Sequence, residues 1–321
     1  MSSIAKYLKQ KGDNVIGYDQ RKSYVTNLLN QDGIKVVHTI DEITYKPESL
    51  YIYSSAIPIE SDRFEDFYDK ENVLSRPEYL KNLSENHKII GITGTHGKTS
   101  TTALLSHIFH FNNVNVSYLY GGITTFNGIG GHYGDPDQPL ILETDEAFNT
   151  FEKIKISDLL VLNVDSDHLD YFKNLDNYKD AFYKVMKNVT DNLVINNDDL
   201  NIKSMKELKN PVSYGKDISA DFKVQSPRNF IYENNKYEIK SDIIGDHFKS
   251  NMLGAIILAL LNGIEIKDSL SAIESFAGVK RRIELIGISK GVYIYDDYGH
   301  HPTEMEATIT ALKQQTESKL Y

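Results

Sequence analysis

Lys88-Ile-Ile-Gly-Ile-Thr-Gly-Thr-His-Gly-Lys-Thr-Ser-Thr-Thr102 decides how this chain is read. An apolar, β-branched run enters two glycines, then a lysine, then hydroxyl residues. Gly94 and Gly97 let the backbone turn its amides toward an anion, Lys98 reaches outer phosphates, and Thr99 offers a hydroxyl to Mg²⁺. The usual phosphate loop places a glycine five residues before its Gly-Lys pair. Here Ile92 holds that place, so the loop is a shortened variant. A Gly-Lys-Thr in any loop is common. One set between a strand and the helical run Ser100–Phe109 reads as a nucleotide cradle, and the plain alternative is a structural turn.

The chain has 321 residues, enough for two domains and part of a third. Its formal net charge of -10, with no dense Lys/Arg block, argues against a nucleic-acid surface. It has no cysteine, which excludes disulfides and thiolate chemistry. No run approaches eighteen apolar residues and no apolar leader opens the sequence, so no membrane role and a cytoplasmic location are expected.

Alternating helical and strand patterns predict an α/β fold. Residues 1–86 read as a Rossmann-like unit, with helix Ser2–Lys11 and a strand ending in Asp19, the acid a dinucleotide fold wants there. The first strand and glycine loop of such a unit are missing, and residues upstream of Met1 are the expectation. Residues 87–278 read as a central P-loop ATPase-like domain, with a glycine-rich stretch Gly121–Gly134, a small antiparallel patch within Val224–Glu238 and an apolar helix Asn251–Leu261. Residues 279–321 offer one strand, Val292–Asp296, and one helix, Thr303–Gln314. That is too little for a core of its own, so it reads as a fragment of a C-terminal α/β domain.

Three clusters lie at predicted strand ends. Glu143-Thr-Asp-Glu146 follows an apolar strand, and a carboxylate beside a phosphate loop can hold Mg²⁺. A solvated sheet edge is the alternative. Asn163-Val-Asp-Ser-Asp-His-Leu-Asp170 packs acids around His168 and can supply a second metal ligand, though nothing in it has zinc-site spacing. Asp296-Asp-Tyr-Gly-His-His-Pro-Thr-Glu304 runs into a helix with Pro302 in its first turn, and Asp297, His300 and His301 then lie where a substrate could meet a nucleotide. Arg281 and Arg282 precede it. They are solvated linker residues or a source of positive charge for a γ-phosphate.

These segments, with Met1-Ser-Ser-Ile-Ala5, Ser54-Ser-Ala-Ile57 and Gly278-Val-Lys-Arg-Arg282, fall in one order along nearly the whole chain. In that order the chain resembles the Mur ligases, and its first and last segments resemble the alanine-adding branch. The resemblance implies a UDP-sugar domain, an ATP domain and a closing ligase domain. It also implies an ATP-dependent ligase that joins L-alanine to UDP-N-acetylmuramate through an acyl phosphate in peptidoglycan precursor synthesis.

By position, Gly94, Thr95, His96, Gly97, Lys98, Thr99, Ser100 and Asn251 match the nucleotide-binding residues. Thr99, Glu143 and His168 match the metal ligands. Lys98, Arg282, Asp297 and His300 match the catalytic set. Phe248 stands where the family's His-Asn-x-x-Asn run has its first asparagine, and Ala147-Phe148 replaces Ser-Asp after the metal glutamate. The family's Gly-Ile-Gly-Gly loop, which cradles the UDP diphosphate, belongs just before Met1, and most of the third domain is not present. A ligase using a recycled peptide, a small-molecule kinase and a nucleotide-binding remnant without turnover stay open. Lys98 is expected to serve the ligand and to matter little for folding.

Overall fold

The computed structural model describes residues 1–167, 169–205, 207–316 and 320. Its centre is a ten-stranded sheet in the order Asn235–Glu238, Asn229–Tyr232, Phe222–Ser226, Val212–Gly215, Asn192–Asn196, Asp158–Val161, Ile89–Thr93, Leu140–Glu143, Ser117–Thr124, Gly128–His132. The seven strands from Phe222–Ser226 to Ser117–Thr124 pair in parallel, and the outer pairs at each end are antiparallel. The middle strands are apolar on both faces because both faces are covered. Ile90, Ile92, Ile141, Leu160, Leu162 and Val194 pack into one core. Their alternates Ile89, Leu140, Leu142, Leu159, Val161, Leu193 and Ile195 pack into the other. Each fully buried aliphatic side chain contributes about 1.5–3 kcal/mol, so both covered faces of the sheet contribute to its stability.

Helix Asp246–Leu261 is apolar on every side and buried from Asn251 to Ala259, lying against the loop helix Lys98–Phe111 in the first core. Helix Leu175–Lys187 is amphipathic instead and covers the second core through Tyr178, Phe182 and Val185.

Strand Ile89–Thr93 is the switch point. From it the chain crosses to Ser117–Thr124, returns to Leu140–Glu143 on the same side, then passes to Asp158–Val161 on the other. Ile92 lies opposite Glu143, and Thr93 opposite Val161. The loops after all three strands therefore open at one edge, where an α/β sheet binds ligands.

The glycine-rich stretch Gly121–Gly134 lies largely in a β-hairpin of strands Ser117–Thr124 and Gly128–His132. Its glycines answer close approach: a Cβ on Gly131 would lie 2.1 Å from Ser3 O, and one on Gly130 would lie 2.3 Å from the Tyr120 ring. Helix Ser2–Lys11 lies across this hairpin, with Ile4 and Tyr7 in the second core and Lys6 Nζ donating to Asn127 O and Ile129 O. The rest of the first unit holds two parallel pairs, Ile16–Tyr18 with Lys35–Val37 and Tyr51–Tyr53 with Val73–Ser75. The third unit has a second strand that was not expected, Glu284–Ser289, antiparallel to Val292–Asp296 and bulged at Leu285–Gly287. Helix Pro302–Lys313 follows. Among the described residues no helix is long and apolar enough to cross a membrane.

Candidate nucleotide and metal site

The loop after Ile89–Thr93 folds as its glycines allow. Gly94 has φ 143° and Gly97 φ 86°, and Gly97 caps the helix that begins at Lys98. A Cβ on Gly97 would lie 2.4 Å from Asn251 Nδ2, so the loop and the apolar helix meet at a point only glycine fits. Asn163, at the end of the neighbouring strand, fixes the loop from the other side. Its Oδ1 accepts from His96 N at 2.8 Å and its Nδ2 donates to His96 O at 3.0 Å.

Lys98 curls back over the loop. Its Nζ donates to Gly94 O at 2.7 Å and Thr95 O at 3.1 Å and pairs with Glu146 at 2.9 Å. Burial alone would lower the lysine's pKa, but Glu146, Asp145 and Glu143 outweigh it and hold the value above the ordinary range. Glu146 is wholly buried, and desolvation pushes its carboxyl up against the pull of Lys98. The ammonium therefore stays charged, and Glu146 is the member more easily neutralised. Tyr178, also fully buried, donates to Glu146 at 3.4 Å and lies 3.0 Å from Thr95 Oγ1.

Thr99 Oγ1 donates to Glu143 Oε1 at 2.6 Å, while Glu143 Oε2 accepts from Gly121 N at 2.6 Å. A hydroxyl and a carboxylate at the mouth of a phosphate loop suit a hard divalent cation. His168, the third expected metal ligand, lies outside the described residues.

The third unit closes over this edge. Its cleft with the central domain encloses about 590 Å³ and is lined by Ser100, Asn251, Phe248, Arg282 and Tyr295. The Arg282 guanidinium lies 5.2 Å from the centre of the Tyr298 ring. Asp297 is bound within its own unit: its carboxylate accepts from Ile283 N and Gly299 N, each at 2.8 Å. His300 points outward, its side chain 75% exposed. Its neighbour His301 turns inward, with its ring centre 5.0 Å from that of His96. Glu304 accepts from His96 Nδ1 at 3.2 Å, and Thr303 Oγ1 donates to Asp165 Oδ2 at 2.9 Å. The hydrogen bond from His96 is the main reason the Glu304 carboxyl is held down to about 2.

The geometry thus gathers Gly94, Thr95, His96, Gly97, Lys98, Thr99, Glu143 and Asn251 at one edge, with Ser100 and Arg282 on the cleft wall. Among the described residues, Asp297 and His300 make no hydrogen bond to the loop. Sequence reasoning missed Glu146, Tyr178 and Asn163 as supports of the loop. Glu146 and Asn163 carried a signal in their places within two strand-end clusters, and Tyr178 carried none.

Family models for the Mur ligase catalytic domain, the Mur ligase middle domain and the Mur ligase glutamate ligase domain match residues 1–88, 92–259 and 281–321. The chain is 34% identical over 337 residues to a UDP-N-acetylmuramate–L-alanine ligase of Clostridium botulinum, covering 100% of this chain and 73% of that protein. It is 35% identical over 340 residues to the enzyme of the same name from Caldicellulosiruptor bescii, covering 100% and 74%. The crystal structure of the UDP-N-acetylmuramate-alanine ligase of Thermotoga maritima superposes with a TM-score of 0.84 at 24% identity, over 99% of this chain and 76% of that one. With these three domain matches, and whole-length relatives above 30% identity, the chain belongs to the Mur ligase family.

Proposed function

We infer that the protein is an ATP-dependent ligase that joins L-alanine to UDP-N-acetylmuramate, a cytoplasmic step of peptidoglycan precursor synthesis. The observation that carries this reading is the pairing of a lysine-bearing phosphate loop with the Thr99–Glu143 contact at adjacent strand ends, in a chain whose relatives add alanine. In the reaction the lactyl carboxylate of the sugar nucleotide takes the terminal phosphoryl group of ATP, and ADP is released. The neutral amine of alanine then attacks the acyl carbon, a proton leaves the nitrogen, and inorganic phosphate departs.

The chain's task is to bring two anions together. Lys98, already charged, exchanges the Gly94 and Thr95 carbonyls for phosphate oxygens. Thr99 and Glu143 fit Mg²⁺, and His168 joins them by the family's pattern. When bound, the ion supplies charge neutralisation at the phosphates. Asn163 already takes the Thr95 and His96 amides, so the phosphate chain meets the amides at the helix start after Gly97, and the cleft beside Ser100 and Phe248 accommodates the nucleoside. Arg282, on the same cleft wall, adds positive charge from the third unit. Asp297 acts by holding the turn between Ile283 and Gly299. The third unit, latched through Glu304 and Thr303, excludes water that would consume an acyl phosphate.

The test supplies ATP, Mg²⁺ and UDP-N-acetylmuramate with either L-alanine or the tripeptide L-alanyl-γ-D-glutamyl-meso-diaminopimelate, and detects product by mass. The alanine adduct is the expected product. The tripeptide adduct alone, a stable phosphorylated sugar made without any amine, or no product would each overturn the reading.

A further inference from the structure

Where the third unit meets the phosphate loop, three metal-ligating side chains from three separate segments converge. His96 belongs to the loop, Asp165 to the segment after strand Asp158–Val161, and His301 caps helix Pro302–Lys313. One ligand atom from each lies within 4.8 Å of the others, a cluster found among the described residues. The Thr99–Glu143 pair takes no part in it.

The bonding around His96 suits a metal. Its Nδ1 faces the Glu304 carboxylate at 3.2 Å, which fixes the ring proton there. Its Nε2 is buried, makes no hydrogen bond and faces Asp165 Oδ2 at 3.5 Å, a gap that a shared cation would fill. A carboxylate behind the far nitrogen of a histidine is the usual support of a metal-bound imidazole. Asp165 is oriented likewise: Thr303 Oγ1 and Ser166 N donate to its two oxygens at 2.9 and 2.7 Å. At His301 one long contact stands in the way, Thr303 N to Nδ1 at 3.3 Å. Because that contact places the ring proton on Nε2, either nitrogen of His301 binds an ion only by giving it up.

We propose that His96, Asp165 and His301 form a transition-metal site of the zinc class that ties the third unit to the phosphate loop. Two imidazoles and one carboxylate favour such an ion over Mg²⁺, which prefers oxygen ligands. Three ligands leave a fourth position for water. Ligand atoms about 2.1 Å from a tetrahedral ion lie about 3.4 Å apart. Binding therefore draws helix Pro302–Lys313 about an ångström or so toward the loop. The ion acts as a clasp on a joint that hydrogen bonds hold alone without it.

Co²⁺ is the probe, titrated into the full 321-residue chain in the presence of millimolar Mg²⁺ and followed by visible absorption. One equivalent should give a tetrahedral d–d band that Zn²⁺ abolishes. Asp165→Asn and His301→Gln should each remove the band. Glu304→Gln, which leaves all three ligands in place but alters the support of His96, should weaken binding by about 10–100-fold. His110→Gln, on the surface elsewhere, should leave it unchanged. Thermal melts confirm that each variant is folded, and hydrogen exchange gives an independent reading: Zn²⁺ should slow exchange in residues 302–313. A His301→Gln protein that binds Co²⁺ like the parent, displacement of Co²⁺ by Mg²⁺, or unaltered exchange in that helix would overturn the proposal. None of these outcomes depends on ligase activity.

Discussion

Thr99 Oγ1 and Glu143 Oε1 are 2.6 Å apart, joining the first turn of the loop helix to the end of the adjacent strand. The sheet register makes this contact. Ile92 lies opposite Glu143, so the carboxylate arrives where the loop turns into its helix. The second oxygen accepts from Gly121 N, which an amide nitrogen cannot do. Glu143→Gln removes one charge and one acceptor oxygen: its Oε1 serves Gly121 N only by turning its Nε2, which cannot bind a cation, toward Thr99. The Mg²⁺ concentration needed for half-maximal turnover should rise about tenfold or more, equivalent to about 1.4 kcal/mol. Turnover measured against MgCl₂ checks this, and an unshifted curve would remove Glu143 from the metal site.

The proposed function gives Lys98 a second role beside its ion pair with Glu146. As the loop cation it should account for about 10²–10³ in turnover, about 3–4 kcal/mol, when replaced by alanine. The expectation that folding is indifferent to Lys98 does not survive its pairing with Glu146, which is 0% exposed. Lys98→Ala leaves that carboxylate either charged and unpaired or forced to take a proton, and both cost stability. The single variant should melt lower than the parent. Adding Glu146→Gln should restore the melting temperature without restoring turnover. A double variant as unstable as the single one would show that the pair contributes nothing to the fold.

The phosphate loop was legible in the sequence because its chemistry is contiguous: strand, turn glycines, lysine and helix follow in one run. The supports of the loop were not, because they are distant in the chain. Glu146 reaches Lys98 across 48 residues and Asn163 reaches His96 across 67. Periodicity carries no trace of such pairs. The hairpin Ser117–His132 was hidden for another reason. Glycine reads as loop, yet here it stands in strands because Ser3 and Tyr120 leave no room for a side chain. Local signal could not separate His300 from His301 either. The helix start at Pro302 turns one outward and makes the other its cap.

Gly97 combines two constraints that alanine violates. Its φ of 86° is strained for any residue with a Cβ, and that Cβ would meet Asn251 Nδ2 at 2.4 Å. Gly97→Ala should cost on the order of 1–3 kcal/mol of stability. It should also weaken nucleotide binding by at least about tenfold, since the loop amides turn with the backbone. Asn251→Ala in the same chain relieves the collision but not the dihedral, so melting should recover in part. Calorimetric titration with a non-hydrolysable ATP analogue checks the affinity, and parent-like binding by Gly97→Ala would separate the loop from the nucleotide.

Histidines set the acid side of the stability profile. Desolvation lowers the pKa of His87, His107, His132 and His247 below the ordinary value. At His107 the reason is visible. Nε2 faces Ala272 O at 3.1 Å and Ser275 Oγ at 3.0 Å, while buried Nδ1 has no partner to accept a second proton. With folded values below unfolded ones, the unfolded chain binds more protons on the acid side of about pH 6.5. Stability is then full at neutral pH and falls as the solution is acidified through that value. Glu304, held down to about 2, adds its own loss of stability once the pH falls below the ordinary carboxylate value, and that loss is complete only below its folded one. Urea melts between about pH 7.5 and about pH 5 should show the loss, and His107→Gln should make the slope shallower. A parent whose stability stays level or rises on acidification, or a His107→Gln slope equal to the parent's, would mean that these rings are not held neutral by the fold.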